Sequence, residues 1–198
     1  MKPLTYFIVE IPKRINDTIK TNGGLELYID TKFKEFDYRV NEGKVVGAPH
    51  KYNTGAEVGD TLYFHHHVVI NDGQPLTGKK DTYVVIYSDD SSQSMASQAF
   101  AYKNKDGEIK LLSGWVLLEP AEKEEKKTSG IIEEVKLKDD PELKGVVAFD
   151  DAPWVKELGV KKGDVVGFKK NLDYRLKIDG KEYYRMPASE LLYVEEKA

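Results

Sequence analysis

An all-β fold, built as two tandem copies of one small barrel or sandwich, is what this sequence predicts. Three observations carry that expectation. Short apolar runs rich in β-branched and aromatic residues alternate with turn residues, and no stretch keeps helical periodicity beyond a turn or two. Asp179-Gly180 lies between two runs of alternating polarity, a strong hairpin signal. The aliphatic run Phe7-Ile8-Val9, closed by Glu10 and Pro12, returns as Val116-Leu117-Leu118 closed by Glu119 and Pro120.

Four further echoes follow in the same order. Gly23-Gly24-Leu25-Glu26-Leu27 matches Ser129-Gly130-Ile131-Ile132-Glu133, and Gly43-Lys44-Val45-Val46 matches Lys144-Gly145-Val146-Val147. Gly59-Asp60 with Leu62-Tyr63-Phe64 matches Gly163-Asp164 with Val166-Gly167-Phe168. Met95-Ala96-Ser97 with Ala99 to Tyr102 matches Met186 to Ser189 with Leu191 to Val194. The offset between copies falls from 109 at Glu10/Glu119 to 104 at Gly59/Gly163 and 92 at Ser97/Ser189. Extra residues therefore belong late in the first copy, at the acidic, serine-rich 88–94. Asn104-Lys105-Asp106-Gly107 has turn chemistry, which sets the expected domains at 1–106 and 107–198.

Within the second copy the strands follow from local chemistry. Lys162-Gly163-Asp164 supplies a turn, and Val165, Val166 and Phe168 the strand after it. A two-residue loop at Asp179-Gly180 sets Lys177 opposite Glu182 and Leu176 opposite Tyr183, an ion pair and an apolar pair. In the first copy a long polar segment, 12–37, is too long for a simple hairpin connection, and loops of that length are functional or disordered. The second copy has a counterpart at 121–142 with 13 charged residues, five basic and eight acidic.

Composition narrows the function. The chain has 198 residues, 40% hydrophobic and 32% charged, with a net charge of -4, no footprint for nucleic acid. No cysteine is present, which removes disulfides, thiolate metal sites and cysteine nucleophiles. No apolar run approaches a membrane span and no signal-peptide pattern opens the chain, so a cytoplasmic location is expected. His65-His66-His67 tempts as a metal site, yet on a strand only His65 and His67 share a face, and no third ligand is in view. No metal or cofactor is expected. Asp89-Asp90, Asp139-Asp140 and Asp150-Asp151 read as solvated loop charges. Nucleophile elbow, P-loop and dinucleotide fingerprint are all missing, and the chain is not expected to be an enzyme.

Val160, Gly163, Asp164, Val165, Ile178, Asp179, Gly180, Glu182, Tyr183, Ser189, Glu190, Leu191 and Val194, in that succession, resemble the C-terminal half of the chaperonin-10 (GroES-type) co-chaperonins. The resemblance implies two GroES-like β domains. It also implies homo-oligomeric rings that cap a large ATP-driven chaperonin and enclose an unfolded substrate protein. In that family a mobile loop docks through an aliphatic patch after paired glycines. The matching residues are Gly23, Gly24, Leu25 and Leu27 in the first copy and Gly130, Ile131 and Ile132 in the second, with Glu26 and Glu133 as polar intrusions. Leu25 and Leu27, two apart, point to one side of an extended strand. The family's roof hairpin lacks a clear signal at 49–57 or 150–159. The alternative reading is a non-enzymatic structural or assembly protein, for example a viral particle component, using the same fold to oligomerise.

Overall fold

A computed structural model describes residues 2–11, 13, 18–21, 23–28, 38–70, 74–79, 81–121 and 143–196. The chain divides into two compact units, Met1–Trp115 and Val116–Ala198, and both are β structures as the sequence predicts. Among the described residues no helix is long and apolar enough to cross a membrane.

The first unit contains β1 (Phe7–Glu10), β2 (Thr18–Lys20), β3 (Glu26–Tyr28), β4 (Glu42–Gly47), β5 (Thr61–Phe64), a one-turn helix α1 (His67–Ile70), β6 (Gln74–Pro75), β7 (Thr82–Val85), β8 (Ala99–Lys103) and β9 (Ile109–Leu111). Its main sheet runs β6-β7-β1-β4-β5-β8-β9, and β2-β3 form a separate hairpin. The Phe-Ile-Val run of β1 is apolar on both faces because the strand is central, paired with β4 and β7. Phe7, Val9, Val45, Leu62, Phe64, Val68 and Val85 form the heart of the core, each fully out of water.

The second unit contains β10 (Trp115–Pro120), β11 (Lys144–Val147), a short helix α2 (Pro153–Glu157), β12 (Val165–Phe168), β13 (Tyr174–Ile178), β14 (Lys181–Pro187) and β15 (Leu191–Val194). Its sheet runs β13-β14-β10-β11-β12-β15. Asp179 and Gly180 both take positive φ, 51° and 80°, and the resulting two-residue turn sets Lys177 against Glu182 and Leu176 against Tyr183, as predicted.

Substituting β10, β11, β12, β13, β14 and β15 for β1, β4, β5, β6, β7 and β8 turns the first strand order, less its terminal β9, into the second. The agreement extends to single hydrogen bonds. Gly59 N–H donates to Val45 O at 2.8 Å and Gly163 N–H to Val147 O at 2.9 Å. Val45 N–H donates to Asp60 O at 2.8 Å and Val147 N–H to Asp164 O at 2.9 Å. A register irregularity falls between Tyr63 and Phe64 in β5, and again between Gly167 and Phe168 in β12. Gly43 and Gly145 answer the same need, since a Cβ at either would stand 3.1 Å from a carbonyl oxygen, that of Glu10 or of Glu119.

In both turns an aspartate ties the backbone. Asp60 Oδ2 accepts the Glu57 N–H at 2.8 Å, and Asp164 Oδ2 accepts the Lys161 N–H at 2.9 Å. Asp60 is buried and Asp164 only half-buried. Asp60→Ala removes the acceptor of a part-buried bond and empties a buried position, and is expected to cost about 1–3 kcal/mol, whereas Asp164→Ala removes an exposed bond and costs less. Chemical denaturation of the two variants checks the order; equal losses would contradict it.

The connections differ as the shrinking offsets require. Residues 86–98 join β7 to β8, where 188–190 join β14 to β15. The inserted segment is exposed along 89–93 and forms a 3-10 stretch, Ser91–Ala96, with Ser94 buried. Ser113 Oγ donates to Ser88 O at 2.6 Å, tying the segment to the turn before β10. Among the described residues no hairpin stands at 48–60, and α2 occupies the equivalent connection in the second unit, with Val155 fully buried.

Candidate functional site

The long polar segment of the first unit holds a hairpin. Thr18, Ile19 and Lys20 pair antiparallel with Tyr28, Leu27 and Glu26. Local polar bonds hold so short a ladder together. Thr21 N–H donates to Leu25 O and Gly24 N–H to Thr21 O, each at 2.9 Å, while the Thr21 hydroxyl oxygen accepts the Leu25 N–H at 3.2 Å. Gly24 takes φ 79°, a left-handed conformation open to glycine without penalty, and closes the turn. Gly23 lies in the same turn, so the paired glycines shape the hairpin tip.

Leu25 and Leu27 stand at 63% and 42% exposure, unusually open for leucines two apart on one side of a strand. Glu26 lies on the other side, where its carboxylate accepts the Thr18 hydroxyl at 2.7 Å, and Lys13 Nζ donates to the same hydroxyl oxygen. Glu26 therefore does not interrupt the apolar side; it braces the hairpin. Thr18 and Thr21, missed in the sequence, were detectable only as β-branched hydroxyl residues flanking the glycines. Gly130, Ile131 and Ile132, the corresponding residues of the second copy, lie outside the described residues.

The paired carboxylates within the described residues are occupied structurally. Asp89 Oδ1 accepts the Tyr87 hydroxyl at 2.9 Å, and burial, then this bond, pushes the Tyr87 hydroxyl well above its ordinary range. Asp90 accepts from the Ser92 hydroxyl and N–H, which hold its carboxyl below the usual value. Asp150 Oδ2 accepts the Lys162 N–H at 3.0 Å.

The histidine run corrects the strand-based expectation. β5 ends at Phe64, and the chain turns at His65-His66 into α1, so the three side chains do not alternate between faces. One ring nitrogen from each lies within 4.8 Å of one from each of the others. The turn is driven by Val68 and Val69, whose burial draws the chain back onto the core.

With this geometry established, similarity to known proteins can be assigned to particular elements. The family model for the chaperonin 10 Kd subunit matches residues 108–194, from β9 to the end of β15. The co-chaperonin GroES of Coprothermobacter proteolyticus is 38% identical over 93 residues, covering 44% of this chain and 94% of the relative. The chain belongs to the chaperonin 10 Kd subunit family. The co-chaperonin GroES of Symbiobacterium thermophilum is 38% identical over 80 residues, 38% of this chain and 82% of the relative. That of Aquifex aeolicus is 44% identical over 80 residues, 38% of this chain and 66% of the relative. Family membership supports a co-chaperonin role for a chain that exposes an aliphatic hairpin.

Proposed function

We propose that this protein is a tandem co-chaperonin. It carries two copies of the family's domain, forms a ring-shaped cap on an ATP-driven chaperonin, and docks through the hairpin β2–β3 while an unfolded protein is held beneath. The observation that carries the reading is the hairpin itself. It is braced by polar bonds on one side and presents Leu25 and Leu27 to solvent on the other, an arrangement suited to two adjacent apolar pockets. Repeated strand order supports the duplication; the expected boundary at 106/107 and the start of the family match at 108 both precede β9, which pairs within the first unit, so the second copy's own strands begin with β10.

Oligomerisation follows from strand edges. In the first unit β9 covers the outer edge of β8, pairing Ala101 with Leu111 and Lys103 with Ile109. The equivalent strand β15 ends its sheet, with Leu192, Tyr193 and Val194 at 55%, 50% and 42% exposure. A strand edge of this kind is a template for pairing with another chain, and a second copy of this protein is the proposed occupant. Each docked loop need grip only loosely, because a ring presents several at once.

Co-sedimentation of the full chain with a chaperonin double ring, with and without nucleotide, tests the reading. Nucleotide-dependent pelleting is the expected result. Absence of pelleting in every nucleotide state would overturn it and favour the reading as a structural assembly protein, for which the lack of a roof hairpin at 48–60 is the specific support.

A further inference from the structure

The histidine turn is the feature of the first unit that co-chaperonin work leaves unexplained. His65 and His66 rings stack with centroids 4.7 Å apart and planes 24° from parallel, while His67 stands edge-on to both, at 4.3 and 4.4 Å. His66 is buried and the other two are half-buried. We propose that His65, His66 and His67 form a binding site for one divalent metal of the zinc, nickel and copper class.

Imidazole suits these borderline cations, and three protein nitrogens with a remaining position for water is an established coordination pattern for them. Donor atoms within 4.8 Å must draw in to roughly 3.3 Å for a tetrahedral ion with bonds of about 2.0–2.1 Å. Side-chain rotation is the movement the proposal requires to close that gap. The backbone is already fixed: His65 N–H donates to Gln98 O at 2.9 Å, and Val68 N–H and Val69 N–H donate to His65 O and His66 O at 3.0 Å. Asn41 Nδ2 also donates to Phe64 O at 3.1 Å. The His67 N–H donates to His65 Nδ1 at 3.2 Å, which makes Nδ1 the acceptor nitrogen of that ring.

The second unit shows that the fold does not require histidine here. Phe168 occupies the position of Phe64, and Lys169, Lys170 and Asn171 follow it. Lys169 reaches the half-buried Glu190 at 2.5 Å in an ion pair. Three adjacent imidazoles at this turn are therefore a choice of this sequence beyond what the repeated fold demands.

Zinc titration of the full, untagged chain by calorimetry, with thermal unfolding alongside, is the test. One zinc per chain and a raised unfolding midpoint are expected, both retained by His50→Gln, since His50 is engaged with Pro3 O elsewhere. Both are expected to be lost in His65→Gln, His67→Gln, which spares the buried His66. No zinc uptake, or uptake unchanged in the double variant, would overturn the proposal. Should that variant fold poorly, cobalt(II) added to the parent chain decides: ligand-field bands of nitrogen coordination support the site, and their absence overturns it.

Discussion

Leu25→Ser, Leu27→Ser is expected to abolish nucleotide-dependent co-sedimentation with the chaperonin while leaving the unfolding midpoint where it was. Both side chains are more than a third exposed in the free protein, so neither contributes much to its core. In an apolar pocket each leucine is worth about 1.5–3 kcal/mol. Removing two weakens one loop by roughly a hundredfold or more. Because a ring binds through several loops together, the loss multiplies across them. Tyr28→Ser is the informative control. Tyr28 is 84% exposed and lies on the Glu26 side of β3, so its loss should leave binding near the parent level. Binding retained by the leucine variant, or lost equally with Tyr28→Ser, would remove the hairpin's apolar side from the docking role.

The second unit was open to sequence reasoning where the first was partly closed, and the reason is local. At Asp179-Gly180 a two-residue turn with positive φ at both positions fixes register, so the pairing of Lys177 with Glu182 follows from spacing alone. The sequence match sets Gly43 against Lys144, one residue out from the structural equivalence of Gly43 with Gly145, which only the close pass of β1 or β10 reveals. The segment that holds the hairpin β2–β3 reads in sequence as a long polar loop carrying the aliphatic pair Leu25 and Leu27, and its pairing with β2 does not show there. Its strands are only three residues long, and bonds from Thr18 and Thr21 organise it. β9 was invisible for a related reason: three residues become a strand only because β8 offers an edge. The histidine turn was misread because periodicity cannot reveal where a strand stops. Here the stop is set by the burial of Val68 and Val69, a tertiary demand.

Gly114→Ala should be the most destabilising single substitution to alanine among the glycines of the first unit. Two penalties combine at this position. Gly114 has φ 75°, a conformation that costs an L residue about 1–2 kcal/mol. A Cβ built there would also stand 2.1 Å from Ser91 O and 2.5 Å from Ser94 Oγ. The serine hydroxyl can turn away, but the Ser91 carbonyl belongs to a 3-10 stretch held by the Asp90 cap and by Ser113 Oγ on Ser88 O, so the main chain must move. Such overpacking adds about 1–3 kcal/mol, and the midpoint of thermal unfolding should fall by on the order of 10 °C. Gly24→Ala isolates the first penalty, because φ is 79° there and nothing lies within 4 Å of the added methyl. That variant should strain only the hairpin tip and leave the midpoint nearly unchanged. A midpoint for Gly114→Ala within a degree of the parent would show that the inserted segment yields freely. The cause can be isolated further. The clashing atoms belong to 86–98, which the second unit replaces with 188–190. A chain given the shorter connection should tolerate alanine at 114 with only the backbone penalty remaining. A full loss in that background would place the cost in the turn at Ser113 and Gly114 and not in the packing of the insertion.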